Sequence, residues 1–359
     1  MAETDPLINF VAAVSGDAYL KVEEDLGDGF VRLRISEAER RQAKHDIRGV
    51  EDVVVELLRN ARDAHAQRIF VASHREGDVR ALTVIDDGLG IPDALRERIF
   101  EPRVTSKLET MVMDRWGVHG RGMALFSVRS NVSSARVAVS GAHKGTSLAV
   151  TIDTAELPER TDQSSWPEIT PDEDGTLRAS RGPHNIARRV VEFALEHQGI
   201  DVFLGTPTEV LATMFATARD DMDAADLLFV EDISRLPVWQ RPAAASDAAE
   251  LTEIAQELAL GVSERTSHRV LAGELKPLEP VLTHLLGHTE PEGPELLPDI
   301  YRDRRGLKIH GADLAGFRRD LMAAFDALGE KYYIHLAGEP KITVGRDDIR
   351  VRFHVEKED

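Results

Sequence analysis

The stretch VVVELLRNARDAHA, residues 53–66, limits what the chain can fold into more than any other segment. Val53, Val54, Leu57, Leu58 and Ala61 recur at helical spacing, so one broad face is apolar. Such a helix is stable only when that face is buried against a second layer of structure. Glu56 and Asn60 nevertheless lie one turn apart on a shared face, and Asp63 follows. Carboxylates are costly to bury without a partner. The helix therefore covers a core with one face and offers polar groups along another.

The flanking segments indicate what that core is. FVRLRI, 30–35, alternates like a strand and leads into the polar segment SEAERRQAKHD. After the helix, AQRIFVASH is a strand with Ile69, Val71 and Ser73 on one side, and REGD turns the chain back into VRALTVIDDG. Residues 93–116 are polar, irregular and partly helical, and WGVHGRGMALFSVRS then passes from a glycine-rich turn into a second helix. SARVAVS and TSLAVTID alternate on either side of GAHKG, which makes a second hairpin. Helix, two strands, loop, helix, two strands predicts an α/β domain whose sheet is covered by helices.

ELPERTDQSSWPEITPDEDG, 156–175, is polar and proline-bearing, the composition of an interdomain linker. Beyond it, IARRVVEFALEH is helical and IDVFLG is a strand. TPTEVLATMFATA opens with Thr206 as cap, Pro207 at the first helical position and Glu209 closing a capping box. Another helix falls within 242–262, and GADLAGFRRDLMAAFDALGEK is amphipathic. KITV and IRVRFHV flank GRDD, so a small antiparallel meander is expected at the end.

Composition removes several classes of function. The 359 residues contain no cysteine, which excludes disulfides, thiolate metal sites and cysteine nucleophiles and suits a cytoplasmic setting. No apolar run approaches a membrane span. Lys and Arg total 44 against 63 Asp and Glu, a net charge of −19 and a poor footprint for direct DNA binding.

Two further motifs carry chemistry. VIDDGLGI, 84–91, sets Asp86 and Asp87 directly after a strand, with Gly88 and Gly90 permitting a tight turn. Asp86 can accept a hydrogen bond from an exocyclic amine such as that of adenine, or serve an ordinary Asx turn. GVHGRGMALFSV, 117–128, lacks both the dinucleotide-fold glycine spacing and the Walker A ending, yet its backbone amides open a helix and suit phosphate. Glu56 can order water and the Asn60 amide oxygen is a hard metal ligand.

The order ELLRNARDA, IDDGLGI, GVHGRGMAL, GTSLAVTID resembles the GHKL ATPase superfamily, which includes gyrase-type ATPases, heat-shock chaperones, sensor histidine kinases and MutL repair proteins. The resemblance implies a mixed sheet covered by helices, with ATP and magnesium as cofactors. It implies that Glu56 activates water, that Asn60 binds magnesium and that Asp63 continues the nucleotide-facing helix. Asp86 would read adenine, Gly88 and Gly90 would form its turn, and Thr146, after Gly145, would support it. Gly117, Gly120 and Gly122 correspond to the loop over the phosphates, with Arg121 and Lys107 adding charge. Asp87 stands where many relatives have asparagine. TSK, 105–107, is similar to MutL and to archaeal-type topoisomerase ATPase subunits, whereas RERIFEPRVTSK is similar to sensor kinases.

On this reading residues 1–49 are an N-terminal extension, 50–155 the ATP-binding domain, 156–175 a linker, and 176–359 a second α/β or α+β domain acting as transducer or partner-binding module. Lys308 and Lys341 are its candidates for a lysine returned to the phosphate. The implied activity is magnesium-dependent ATP binding with slow hydrolysis, driving a conformational or dimerisation switch in DNA maintenance. A protein partner, ATP-dependent self-association and a nucleotide-ordered loop over 101–122 accompany it. The alternatives are an ATP-sensing interaction module without turnover and a histidine-kinase-type enzyme acting in trans. His45, close before Glu56, reads as an ordinary histidine of a polar segment rather than a phosphoacceptor.

Overall fold

The computed structural model describes residues 22–106, 112–114, 117–119, 122–172, 174–222, 232–287, 317–322, 324–325, 329, 334–338, 340–344 and 349–357. Two compact units divide between Glu290 and Pro291.

Among the described residues, the first unit begins with a hairpin of β1 (Val22–Gly27) and β2 (Phe30–Leu33), then α1 (Glu37–Asp46) and α2 (Val50–Asp63). The polar segment before the core helix is thus itself a helix, because Ser36 and Glu39 form a reciprocal capping box. β3 (Arg68–Glu76) and β4 (Val79–Asp86) make the expected hairpin. The short strands β5 (Val104–Thr105), β6 (Val112–Asp114) and β7 (Gly117–His119) precede α3 (Ala124–Asn131). β8 (Ser134–Ser140) and β9 (Thr146–Asp153) form the second hairpin. A small ribbon of β10 (Glu168–Pro171) and β11 (Leu177–Arg181) leads to α4 (Ile186–Glu196). After it come β12 (Asp201–Gly205) and α5 (Pro207–Asp221), which carries the capping box that its opening residues predict. α6 (Ala248–Glu257), α7 (Glu264–Leu271) and α8 (Val281–Leu286) complete the unit.

The central sheet has the order β12-β3-β4-β9-β8. β12 runs parallel to β3 and the other pairs are antiparallel, so the sheet is mixed. Alternate residues of β3 serve opposite cores. Ile69 and Val71 meet Leu57 and Leu58 of α2 and Val190 of α4 in one. Phe70 and Ala72 meet Leu211, Met214 and Trp239 in the other, where Phe70 also stacks on Phe203 at 4.9 Å between ring centroids. Hydroxyls on this second face are tied down as well: Thr83 donates to the Ala259 carbonyl at 2.9 Å and Ser147 to that of Leu258 at 2.8 Å.

The boundary expected at 156–175 is not a boundary between compact units. Residues beyond it supply an edge strand and a helical layer to the same sheet, and the segment itself is pinned. Leu157 is buried, Val50 donates its N–H to the Pro158 carbonyl at 3.1 Å, and Arg160 donates its N–H to Glu51 at 2.9 Å. Glu159 accepts two hydrogen bonds from Arg80, at 2.8 and 2.9 Å, and one from Arg75 at 2.7 Å. Polar composition marked a loop as far as the start of β10, but a loop whose carboxylates have buried partners behaves as part of the core. Glu159→Ala is expected to destabilise the unit by about 3 kcal/mol, because it strands the buried Arg80 guanidinium. Denaturant titration with an unchanged m value checks this.

In the second unit, residues 317–322 are helical. Of its strands β13 (Ile334–Leu336), β14 (Lys341–Val344), β15 (Ile349–Arg352) and β16 (Val355–Lys357), the inner two form the expected hairpin and the outer two pair with each other. The arrangement is nested rather than a sequential meander. Lys341 lies in this unit, and Lys308 lies outside the described residues. Among the described residues, no helix is long and apolar enough to cross a membrane.

Candidate functional site

A cavity of about 940 Å³ opens beside α2, within the size range of small-molecule sites. Glu56, Asn60 and Asp63 line it from α2, while Val53, Val54, Leu57 and Leu58 of that helix are buried in the core against the sheet. The two-faced pattern of the sequence is thus resolved as core on one side and cavity on the other. Asn60 donates Nδ2 to the Glu56 carbonyl at 2.7 Å, which orients the side chain and leaves Oδ1 as its acceptor. Glu56 accepts from Nη1 of Arg59 at 2.6 Å. Asp63 accepts from Nε and Nη2 of Arg62 at 3.0 and 2.9 Å.

Asp86 ends β4 and lines the cavity while being almost wholly buried. Burial pushes its carboxyl up to about 7; the Gly88 N–H bonded to it works against this, and the neighbouring Asp87 adds to it. Gly88 donates to Asp86 Oδ1 at 2.9 Å. Gly88 is not itself a lining residue: a Cβ there would lie 2.6 Å from the Ala64 carbonyl oxygen, so its smallness serves the packing of the turn on α2. Asp87 has a separate task. Its Oδ1 accepts from the N–H groups of Gln67 and Arg68 at 2.7 and 2.9 Å, satisfying the start of β3. The extra charge in this motif therefore fastens the strand instead of occupying the cavity.

Gly90 and Thr146 line the same end. Gly90 has φ +74°, and a Cβ on it would lie 1.9 Å from the Gly141 oxygen. Gly90→Ala is therefore expected to lower the melting temperature and the affinity for any ligand of this cavity together, as strain of about 1–2 kcal/mol adds to the collision. Thermal unfolding with and without ligand checks it. Ser140, which sequence reasoning passed over as one strand residue among many, joins the two loops. Its hydroxyl donates to the Gly145 carbonyl at 3.0 Å, accepts from the Ile91 N–H at 2.7 Å and meets the Thr146 hydroxyl at 3.0 Å. With its single proton given to Gly145, it takes that of Thr146.

At the other end, Gly122 lines the cavity with φ +65°, held where a Cβ would lie 2.7 Å from the Val104 oxygen. Gly117 begins β7; Lys107, Gly120 and Arg121 lie outside the described residues, as does much of the loop 101–122. Residues 22–49 of the N-terminal segment contribute to the cavity wall. Phe30 of β2 and Glu39 and Asp46 of α1 line the cavity, Arg103 is ion-paired with Glu39, and Arg32 bonds Glu101 at 2.9 Å. His45 belongs to α1 and is not a lining residue.

Residues 45–156 match the model of the histidine kinase-, DNA gyrase B- and HSP90-like ATPase family. A stretch of 81 residues is 43% identical to the DNA mismatch repair protein MutL of Lactiplantibacillus plantarum, covering 22% of this chain and 12% of that protein. The MutL of Thermus thermophilus is 42% identical over 80 residues, covering 22% of this chain and 14% of its own length. The chain thus matches only a small part of the length of these curated relatives. The mixed sheet, the two-faced helix and the motif order agree with the match: residues 45–156 form a GHKL-type ATPase domain with homology to MutL DNA mismatch repair proteins.

Proposed function

We propose that the cavity binds ATP with magnesium and hydrolyses it slowly, and that the nucleotide state drives a conformational or dimerisation switch. The observation that carries this reading is the convergence of Glu56, Asn60, Asp86 and Thr146 on one cavity. Asp86 accepts the adenine amine, supported by Thr146. Glu56 holds or deprotonates the attacking water. Asp63 steadies the nucleotide-facing end of α2 through Arg62, and Gly122 lets the backbone approach the phosphates. Gly117, Gly120, Arg121 and Lys107 belong to the same proposal as parts of the phosphate loop.

Magnesium fits this donor set. Among the described residues there is no cluster of three or more His, Asp or Glu side chains suited to a metal. Magnesium bound to nucleotide needs only one or two protein oxygens, with phosphates and water supplying the rest. Asn60 Oδ1 would hold it, and the ion would offset phosphate charge.

The matched relatives are named as mismatch repair proteins, which favours DNA maintenance as the setting. The net charge of −19 favours action through a partner protein that itself holds DNA. A second reading, a nucleotide sensor without turnover, is favoured by one contact: Glu56 is engaged by Arg59. Isothermal titration with a non-hydrolysable ATP analogue, with and without magnesium, tests binding. Folded protein that takes up no analogue in either condition removes the proposal. Light scattering in the same samples tests self-association.

A further inference from the structure

Residues 141–145 join β8 to β9 and press on the Asp86 end of the cavity: a Cβ on Gly145 would lie 2.0 Å from the Asp86 backbone oxygen. Ala142 and His143 of this loop line the cavity next to Thr146. His143 is exposed as well as lining, so it stands at the mouth. Its backbone is left-handed, with φ +59°. Histidine enters that region more readily than most residues, but glycine enters it without the steric cost. The conformation is enforced from both sides of the loop. In front, the His143 N–H donates to the carbonyl of Leu89, in the turn after Asp86, at 2.6 Å. Behind, the Lys144 carbonyl accepts from the Val238 N–H at 2.7 Å, and Lys144 Nζ donates to the Ser234 carbonyl at 2.8 Å. None of these bonds uses the imidazole, and a glycine would take the same shape with less strain.

Asp86 accepts from an exocyclic amine, and both adenine and cytosine carry one. That carboxyl alone therefore does not separate the two bases. An aromatic ring lying on the base does, because the larger purine gains more from stacking. We propose that the imidazole of His143 stacks on the base held at Asp86 and sets a preference for purine over pyrimidine nucleotides. The inference rests on the cavity being the nucleotide site. His143 is then a binding residue, and its backbone strain is what it costs to keep a ring at the mouth.

The test titrates the magnesium complexes of a non-hydrolysable ATP analogue and its cytidine counterpart into the full chain as wild type, His143→Ala, His143→Phe and His143→Gly, and follows the thermal unfolding of each protein without ligand. His143→Ala is expected to lose about tenfold in affinity for the adenine analogue, within the range for one base–aromatic stack, and less for the cytidine one, so that the purine preference narrows. His143→Phe keeps a ring without the nitrogens and is expected to stay within about twofold of wild type. His143→Gly is expected to bind as weakly as the alanine variant yet to melt roughly 1–3 °C above wild type, because relief of the left-handed strain outweighs the added freedom of the unfolded chain. Affinity lost in His143→Phe as fully as in His143→Ala means a hydrogen bond from the imidazole, and equal losses for the two nucleotides mean a contact to sugar or phosphate; either overturns the proposal. A lower melting temperature for His143→Gly makes the ring a structural part of the turn and overturns it too. Failure of the wild type to bind the adenine analogue overturns the nucleotide reading and this inference with it. Binding that His143→Ala leaves unchanged overturns the inference alone.

Discussion

Replacing Asp86 by alanine is expected to weaken ATP binding by about 10- to 100-fold, the loss typical of a charge-assisted hydrogen bond left unmade. Its pH dependence makes the same residue testable without ligand. Burial holds the carboxyl at about 7, against an ordinary 3.8. A raised carboxylate means that the folded protein keeps a proton which the unfolded chain has released. Stability at this site is therefore greatest below the unfolded value and falls as pH rises through the folded one. The full difference is on the order of 4 kcal/mol by linkage. Asp86→Asn removes the titration, so the variant is expected to lose less stability than the wild type between about pH 4 and 7. Ligand acts in the opposite sense: an adenine amine donates to the charged form, so nucleotide affinity rises and a proton leaves as pH increases over that range. Equal slopes of melting temperature with pH in the two proteins would refute the assignment of this burial to Asp86.

Glu56→Gln is expected to lower ATP turnover by about 10²- to 10⁴-fold, the range for loss of a general base, with nucleotide binding retained. The glutamine keeps the size of the side chain, and the Asn60 contact is made to the Glu56 backbone carbonyl, so the geometry of α2 survives the change. Single-turnover hydrolysis separates the chemical step from release. If wild type and variant bind alike and neither hydrolyses above background, the sensor reading replaces the hydrolase.

Much of the site was legible because its residues answer to local rules. Glu56 and Asn60 share a helical face, Asp86 ends an alternating strand, and Gly90 sits where the backbone must turn with positive φ. What escaped reading depends on contacts far apart in sequence. Arg59 in an amphipathic helix looks like a solvated side chain, and only the folded geometry shows it buried against the cavity. Ser140 reads as one more strand residue until the two loops it joins are brought together. Asp87 read as an awkward extra charge because the N–H groups it satisfies belong to a strand entered before it. Glu159 lies in a stretch whose composition says loop, and nothing local reveals that Arg80 awaits it. The linker assignment failed for that reason, and the contribution of α5, α6 and α7 to the second face of the sheet went unseen because a helix's apolar face does not name its partner.

That second face has a consequence during synthesis. β12 pairs in parallel with β3, yet it is made about 125 residues later, since β3 ends at Glu76 and β12 starts at Asp201. At ~5–20 residues per second the growing chain waits roughly 6–25 s with an open strand edge and with Phe70 and Ile85 uncovered. The helices that cover them, α5 to α7, emerge later still. Residues 45–156 expressed alone would stay in that condition permanently, with one face of the sheet apolar and unprotected. Nascent chains arrested before Asp201 are therefore the ones that should bind a holdase chaperone, and release should coincide with emergence of Leu271 from the ribosome.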